Sequence, residues 1–222
     1  MSATLDIVVP ARADHALTGA TAGARKRLVH AAASLVHAES YHSVGVKAIC
    51  EKAGVQRGSF YHFFPSKTAL VLEALDLTWE KFDREGLAAS RDISLTARCR
   101  IEGVIDYVYD SQRRFYATGG HVLGCIFGNL AAEANTLDEK IRQRLVVVFD
   151  DWAAAFEAPI VAAQRCGEIS DRVMPSEAAT ELVADLQGAV TLAKVHNDPE
   201  IIAAGGQAIL ERFWHCSQGD CA

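Results

Sequence analysis

Between Gln56 and Lys67 the chain reads QRGSFYHFFPSK, a run that interleaves polar groups with aromatic rings. Gln56, Arg57 and Ser59, with Tyr61 and His62, are polar or amphipathic groups of the kind that reach phosphates and base edges. Gly58 among them leaves room for close approach. Lys67 follows Pro65-Ser66, where a new helix would leave free backbone N–H groups, so its ammonium is expected to act as a phosphate clamp. A second chemistry is offered by GGHVLGCIFGNLAAEA, Gly119 to Ala134. A helix starting after Gly119-Gly120 would place Cys125 in its first turns, where the dipole favours the nucleophilic thiolate. His121, four residues earlier, would share that face and could stabilise the thiolate, or the two could bind a metal. The bland alternative is a small buried thiol where helices approach, which Gly124 and Gly128 would suit.

These residues need elements to position them. From Ala24 a helix is expected with Leu28, Ala32, Leu35 and Val36 on one face, stopping near Ser40-Tyr41. A short helix fits Val46 to Ala53, with Val46, Ile49 and Cys50 inward and Gly45 at the N-cap. Gly54 suits the left-handed residue that ends it. A third helix is expected from about Gln56 to Phe64, with Phe60 and Phe64 facing a core and the polar groups facing outward. Pro65 disfavours helical geometry at Phe64 and ends it, and Ser66 can cap the next helix. Two short helices joined by a tight glycine turn make a helix-turn-helix outline.

The 222 residues are half hydrophobic, poor in proline and without a lasting alternating pattern, which predicts an all-α chain. No secretory signal is visible, and the apolar stretch Leu145 to Ala163 carries Asp150, Asp151 and Glu157, which argues against a membrane span. The six cysteines form no CxxC pair, as expected of reduced thiols in a cytoplasm. Net charge is −6, yet residues 24–67 hold seven Lys/Arg against two acidic residues, while everything after Lys67 is acidic on balance. A small basic module followed by a larger acidic body is the expected organisation, and a local basic patch binds phosphate even on an acidic protein. The expected divisions are a flexible arm at 1–22, the helix-turn-helix domain at 23–67, the body at 68–217 and a tail at 218–222. Body helices are expected near 67–89, 95–117, 122–135, 138–166, 176–195 and 199–215. The faces Leu145-Val148-Trp152-Phe156 and Leu182-Leu186-Val190 suit a dimer bundle, although packing within one chain would give the same pattern. Cys99 and Cys166 are expected as packing residues or resolving thiols, and Cys216 and Cys221 as part of a frayed tail. Trp79, Tyr107, Tyr109, Phe115 and Trp152 suit either a core or a ligand pocket.

The stretch VKAICEKAGVQRGSFYHFFPSKTAL, Val46 to Leu70, resembles the DNA-binding domain of tetracycline-repressor-type (TetR family) regulators. The order and spacing of Ile49, Ala53-Gly54-Val55, Gly58, Tyr61, Phe64 and Ser66-Lys67 carry the resemblance. Ser40, Gly45 and Cys50 depart from the usual glycine, Ser/Thr and alanine. The resemblance implies a larger helical ligand-binding and dimerisation domain after the first third of the chain. It also implies a homodimer that presents two third helices to the major groove of a pseudo-palindromic operator. On that basis Gln56, Arg57 and Ser59 are expected at base edges and Tyr61, His62 and Lys67 mainly at phosphates. Arg25 and Lys26 would reach the backbone or minor groove, or form a solvated basic face. GCxxGNLAxE around Cys125 is similar to a branch that includes repressors responsive to electrophiles or acrylate-like compounds. In some members a cysteine there is the sensor. The implied function is a repressor released by a small effector or by modification of Cys125, with a non-covalent ligand or a metal as alternative effectors. The rival is an all-helical thiol-dependent enzyme built on His121 and Cys125. No third catalytic group, cofactor loop or metal framework supports it, and no cofactor is expected.

Overall fold

The computed structural model describes residues 19–216, and all the regular elements among them are helical. Most of the arm expected at 1–22, and the tail at 218–222 with Cys221, lie outside the described residues. The last residues of that arm are already helical, because α1 runs Gly19–Ala38. The described chain forms two compact units, one of residues up to Lys81 together with Ile126–Leu145, the other of Phe82–Cys125 and residues from Val146 on. The first unit thus takes in more than the segment 23–67 assigned from sequence.

In the first unit α1 is followed by α2 (Val46–Ala53), α3 (Arg57–Phe63) and α4 (Lys67–Lys81). Leu28, Ala32 and Val36 of α1 are buried, with Leu35 at the margin. The α2–α3 turn follows from local chemistry. Gly54 adopts φ 61°, the Val55 N–H donates to the Cys50 carbonyl at 3.0 Å, and the Gly54 N–H to that of Glu51 at 3.2 Å. This pair of bonds satisfies carbonyls that the helix end would orphan. α3 has only seven residues, too few to persist alone in water. It is held by Phe60 and Phe64, 0% and 2% exposed, whose rings lie 6.1 Å apart. Before Pro65, Phe64 is extended (φ −138°, ψ 127°), and Ser66 Oγ accepts the Ala69 N–H at 3.1 Å to cap α4. The unit is completed by α7 (Ile126–Ala131), a 3₁₀ turn (Ala134–Thr136) and the start of α8 (Glu139–Arg165). Phe127 meets Trp79 edge to face at 6.0 Å, and Arg144 pairs with Asp76 at 2.6 Å.

The second unit holds a π-helical turn (Phe82–Gly86), α5 (Ala88–Arg91), α6 (Ala97–Gly119), the rest of α8, α9 (Pro175–His196) and α10 (Glu200–Cys216). The single helix expected over 67–89 is therefore broken at Phe82. There the Phe82 ring lies close against Gly86, where an added Cβ would come within 2.5 Å of it. The faces proposed for a dimer bundle are spent within the chain: Leu145, Val148, Trp152, Phe156, Leu182, Leu186 and Val190 are all at most 4% exposed. Among the described residues no helix is long and apolar enough to cross a membrane.

Candidate nucleic-acid interface

With Phe60 and Phe64 inward, helical periodicity turns the rest of α3 outward. Gln56, Arg57, Gly58, Tyr61 and His62 are exposed and Ser59 is half-buried. Tyr61 is 61% exposed, its ring held edge-on to Phe60 at 5.1 Å. A Cβ placed on Gly58 would meet nothing within 4 Å, so the fold itself has no need of a glycine there. Six of the seven residues expected to touch DNA thus lie on or beside one short helix, most of them open to solvent.

Lys67 is placed differently. Its ammonium donates to the carbonyls of Tyr41 at 2.8 Å and Val44 at 3.2 Å and lies 3.9 Å over the Tyr41 ring. Burial lowers its pKa, and the nearby Glu133 carboxylate works in the opposite sense. In the free protein Lys67 thus braces the α1–α2 turn. Arg25 is also internal business: it pairs with Glu73 and lies 4.9 Å over the Phe64 ring. Arg27 Nε donates to the Ala53 carbonyl at 2.9 Å, tying α1 to α2, whereas Lys26 is exposed. Ser40, at the position where glycine is usual, exchanges hydrogen bonds with Ser43 that close the turn after α1.

The sensor expectation changes more. No helix follows Gly120 directly: residues 121–125 are irregular and α7 begins only at Ile126. Two side-chain amides impose this path. Asn197 accepts the Val122 N–H and donates to the Gly120 carbonyl, both at 2.9 Å. Gln112, only 4% exposed, donates to the Gly124 carbonyl at 3.0 Å and accepts its N–H at 2.9 Å, with Gly124 at φ 79°. His121 is exposed and Cys125 half-buried, and they do not share a helical face. Cys125 is in no disulfide, and among the described residues no three His, Cys, Asp or Glu side chains gather to hold a metal ion. Cys50 is buried, which raises its thiol pKa, while Cys99 and Cys166 are exposed rather than packed. Trp79 and Trp152 belong to the buried core. Sequence reasoning missed Gln112 and Asn197; an amide on an otherwise apolar face of α6 and a residue at the end of α9 were the only signs.

Residues 28–74 match the model for bacterial regulatory proteins of the tetR family, and residues 98–209 match that for the tetracyclin repressor-like C-terminal domain. An HTH-type transcriptional regulator of Mycobacterium tuberculosis is 30% identical over 181 residues, covering 79% of this chain and 87% of that protein. The HTH-type transcriptional repressor DhaR of Mycobacterium sp. (strain GP1) is 26% identical over 176 residues, 79% of this chain and 85% of its own. The crystal structure of the regulatory protein TetR from Rhodobacter sphaeroides superposes with a TM-score of 0.78 at 28% identity, covering 86% of this chain and 98% of that one. These relatives are regulators, and none lends support to the enzyme alternative.

Proposed function

Because the chain belongs to the tetracycline-repressor (TetR) family of transcriptional regulators, we propose that it is a cytoplasmic homodimeric repressor that reads a pseudo-palindromic operator through α3. The observation that carries this reading is the outward polar face of α3 standing on the inward pair Phe60 and Phe64. Gln56, Arg57 and Ser59 supply base-edge contacts, and Tyr61 and His62 supply phosphate contacts. Lys67 contributes by shaping the turn beside them. Gly58→Ala separates recognition from folding. The new methyl meets only space in the free protein, and alanine favours a helix by up to about 1 kcal/mol. Forced into a packed groove, it costs about 1–3 kcal/mol. Urea unfolding is expected to show equal or greater stability, and a DNA titration about tenfold or greater loss of affinity.

The partner face for a second copy is the outer side of α9. Ala184, Gly188, Leu192 and Val195 lie along it exposed, Leu192 at 54% and Val195 at 74%. Small residues there permit close helix approach, and the two apolar chains supply area to bury. Leu192→Glu with Val195→Glu is expected to convert dimer to monomer in sedimentation velocity; an unchanged dimer would show that the two copies meet through another face.

For the effector, the reading is addition of an electrophile to Cys125. The thiolate forms a C–S bond at the β-carbon of an α,β-unsaturated carbonyl, the C=C π pair moves to the α-carbon, and that carbon takes a proton. What supports it is a half-buried thiol at the end of a segment whose backbone is pinned by Gln112 and Asn197. A non-covalent effector is favoured by a different observation. The Trp152 indole N–H is buried without a hydrogen-bond partner, its ring 4.6 Å from that of Phe82. An orphaned donor of this kind suits a ligand acceptor group. Either effector releases DNA only to the extent that it prefers the non-binding state. Fluorescence anisotropy on DNA upstream of the chain's own gene, with wild type, Cys125→Ser and Trp152→Phe exposed to a small enone, separates the two. Release lost only in Cys125→Ser supports the covalent reading; release retained in Cys125→Ser refutes it.

A further inference from the structure

Tyr41 stands in the turn between α1 and α2 and is gripped from several sides. Its N–H donates to Glu133 Oε1 at 3.3 Å, its carbonyl accepts from Lys67 at 2.8 Å, and its hydroxyl shares a hydrogen bond with Thr68 at 3.1 Å. Around it, the His37 carbonyl accepts from Asn129 Nδ2 at 3.3 Å, and His42 Nε2 pairs with Thr136 Oγ1 at 3.0 Å. Three of these contacts join the turn and the last residues of α1 to a segment more than 90 residues away in sequence. All of them lie inside the first compact unit.

The turn matters because α2 has no side chain of its own to fix its start. Gly45 stands at the N-cap and makes no side-chain cap hydrogen bond. The entry of α2, and with it the placement of α3 beyond the Gly54 turn, depends on where residues 40–45 are held. Lys67 holds the carbonyl side of Tyr41, and Glu133 holds the amide side.

We propose that Glu133 and Asn129 are positioning residues for DNA recognition, clamping the α1–α2 turn so that the segment 126–138 sets the geometry of the reading helix. This role rests on the operator-binding reading above.

The test uses the full chain with Glu133→Ala, Glu133→Gln, Asn129→Ala and, as control, Glu139→Gln. Glu139 is an exposed carboxylate one residue beyond that segment, at the start of α8, whose partners are Arg142 and Gln143. Amide hydrogen exchange at Tyr41 is read beside affinity for a selected operator duplex, with helical content checked by circular dichroism. In Glu133→Ala the Tyr41 amide is expected to exchange about tenfold faster and operator affinity to fall about tenfold, as for a lost hydrogen bond to a charged group. Glu133→Gln keeps a carbonyl acceptor and is expected to restore most of both. Asn129→Ala should lower affinity with folding intact, and Glu139→Gln should change neither. Wild-type exchange and affinity in Glu133→Ala would overturn the proposal, as would equal losses in Glu133→Gln and Glu133→Ala. If the wild type binds no duplex, the operator reading itself falls and this role with it, even where exchange shows the turn clamped.

Discussion

Phe60→Ala is expected to destabilise the first unit by about 3–5 kcal/mol, the range for truncating a buried aromatic side chain. Phe60 is 0% exposed and packs against Phe64 and Tyr61. α3 has too few residues to survive on backbone hydrogen bonds, so its anchoring rings decide whether it forms. Set against a domain stability of about 5–15 kcal/mol, a loss of this size populates the unfolded head and abolishes operator binding near the new midpoint. Tyr61→Ala, one residue on and mostly exposed, should change stability by no more than about 0.5 kcal/mol while weakening DNA binding. Urea unfolding followed by circular dichroism checks both, and similar costs at the two positions would contradict the inward–outward division of α3.

The joint replacement Gln56→Ala with Arg57→Ala is expected to remove about 2–6 kcal/mol of discrimination, taking about 1–3 kcal/mol for each bidentate base contact. Both residues are exposed, so urea midpoints should stay where they are. Arg57→Lys sharpens the test. It keeps the positive charge and hence most of the salt dependence, but loses the planar fork that pairs with a guanine edge. Specific affinity should fall toward the level for random duplex while the salt slope is kept. Loss of both together would place Arg57 at a phosphate instead.

Local chemistry made α2, its glycine turn, the end of α3 at Pro65 and the Ser66 cap legible in the sequence, since each depends on residues within a few positions of itself. The outward face of α3 followed from the spacing of Phe60 and Phe64. What stayed hidden depends on partners far along the chain. Lys67 and Arg25 look like free basic residues until the carbonyls of Tyr41 and Val44, and the carboxylate of Glu73, are brought beside them. The glycine pair before Cys125 suggests a helix start, yet the buried amide of Gln112 and the Asn197 side chain hold the next residues in an irregular path. The apolar faces of α8 and α9 have the pattern of either a dimer bundle or a core, and only burial within one chain separates the two. Residues 126–145 carry no helix-turn-helix signature at all, and their place in the first unit arises from contacts such as Trp79 with Phe127 and Asp76 with Arg144.

Operator reading by α3 is tested by selecting binding sites from a random duplex library with the immobilised full chain, run in parallel with the Gln56→Ala/Arg57→Ala variant. The wild type is expected to enrich a pseudo-palindrome with half-sites one helical turn or a multiple apart, and the variant to lose it with folding intact. Enrichment of no sequence by a folded wild type, or of the same sequence by the variant, would contradict the assignment of α3 as the reading helix.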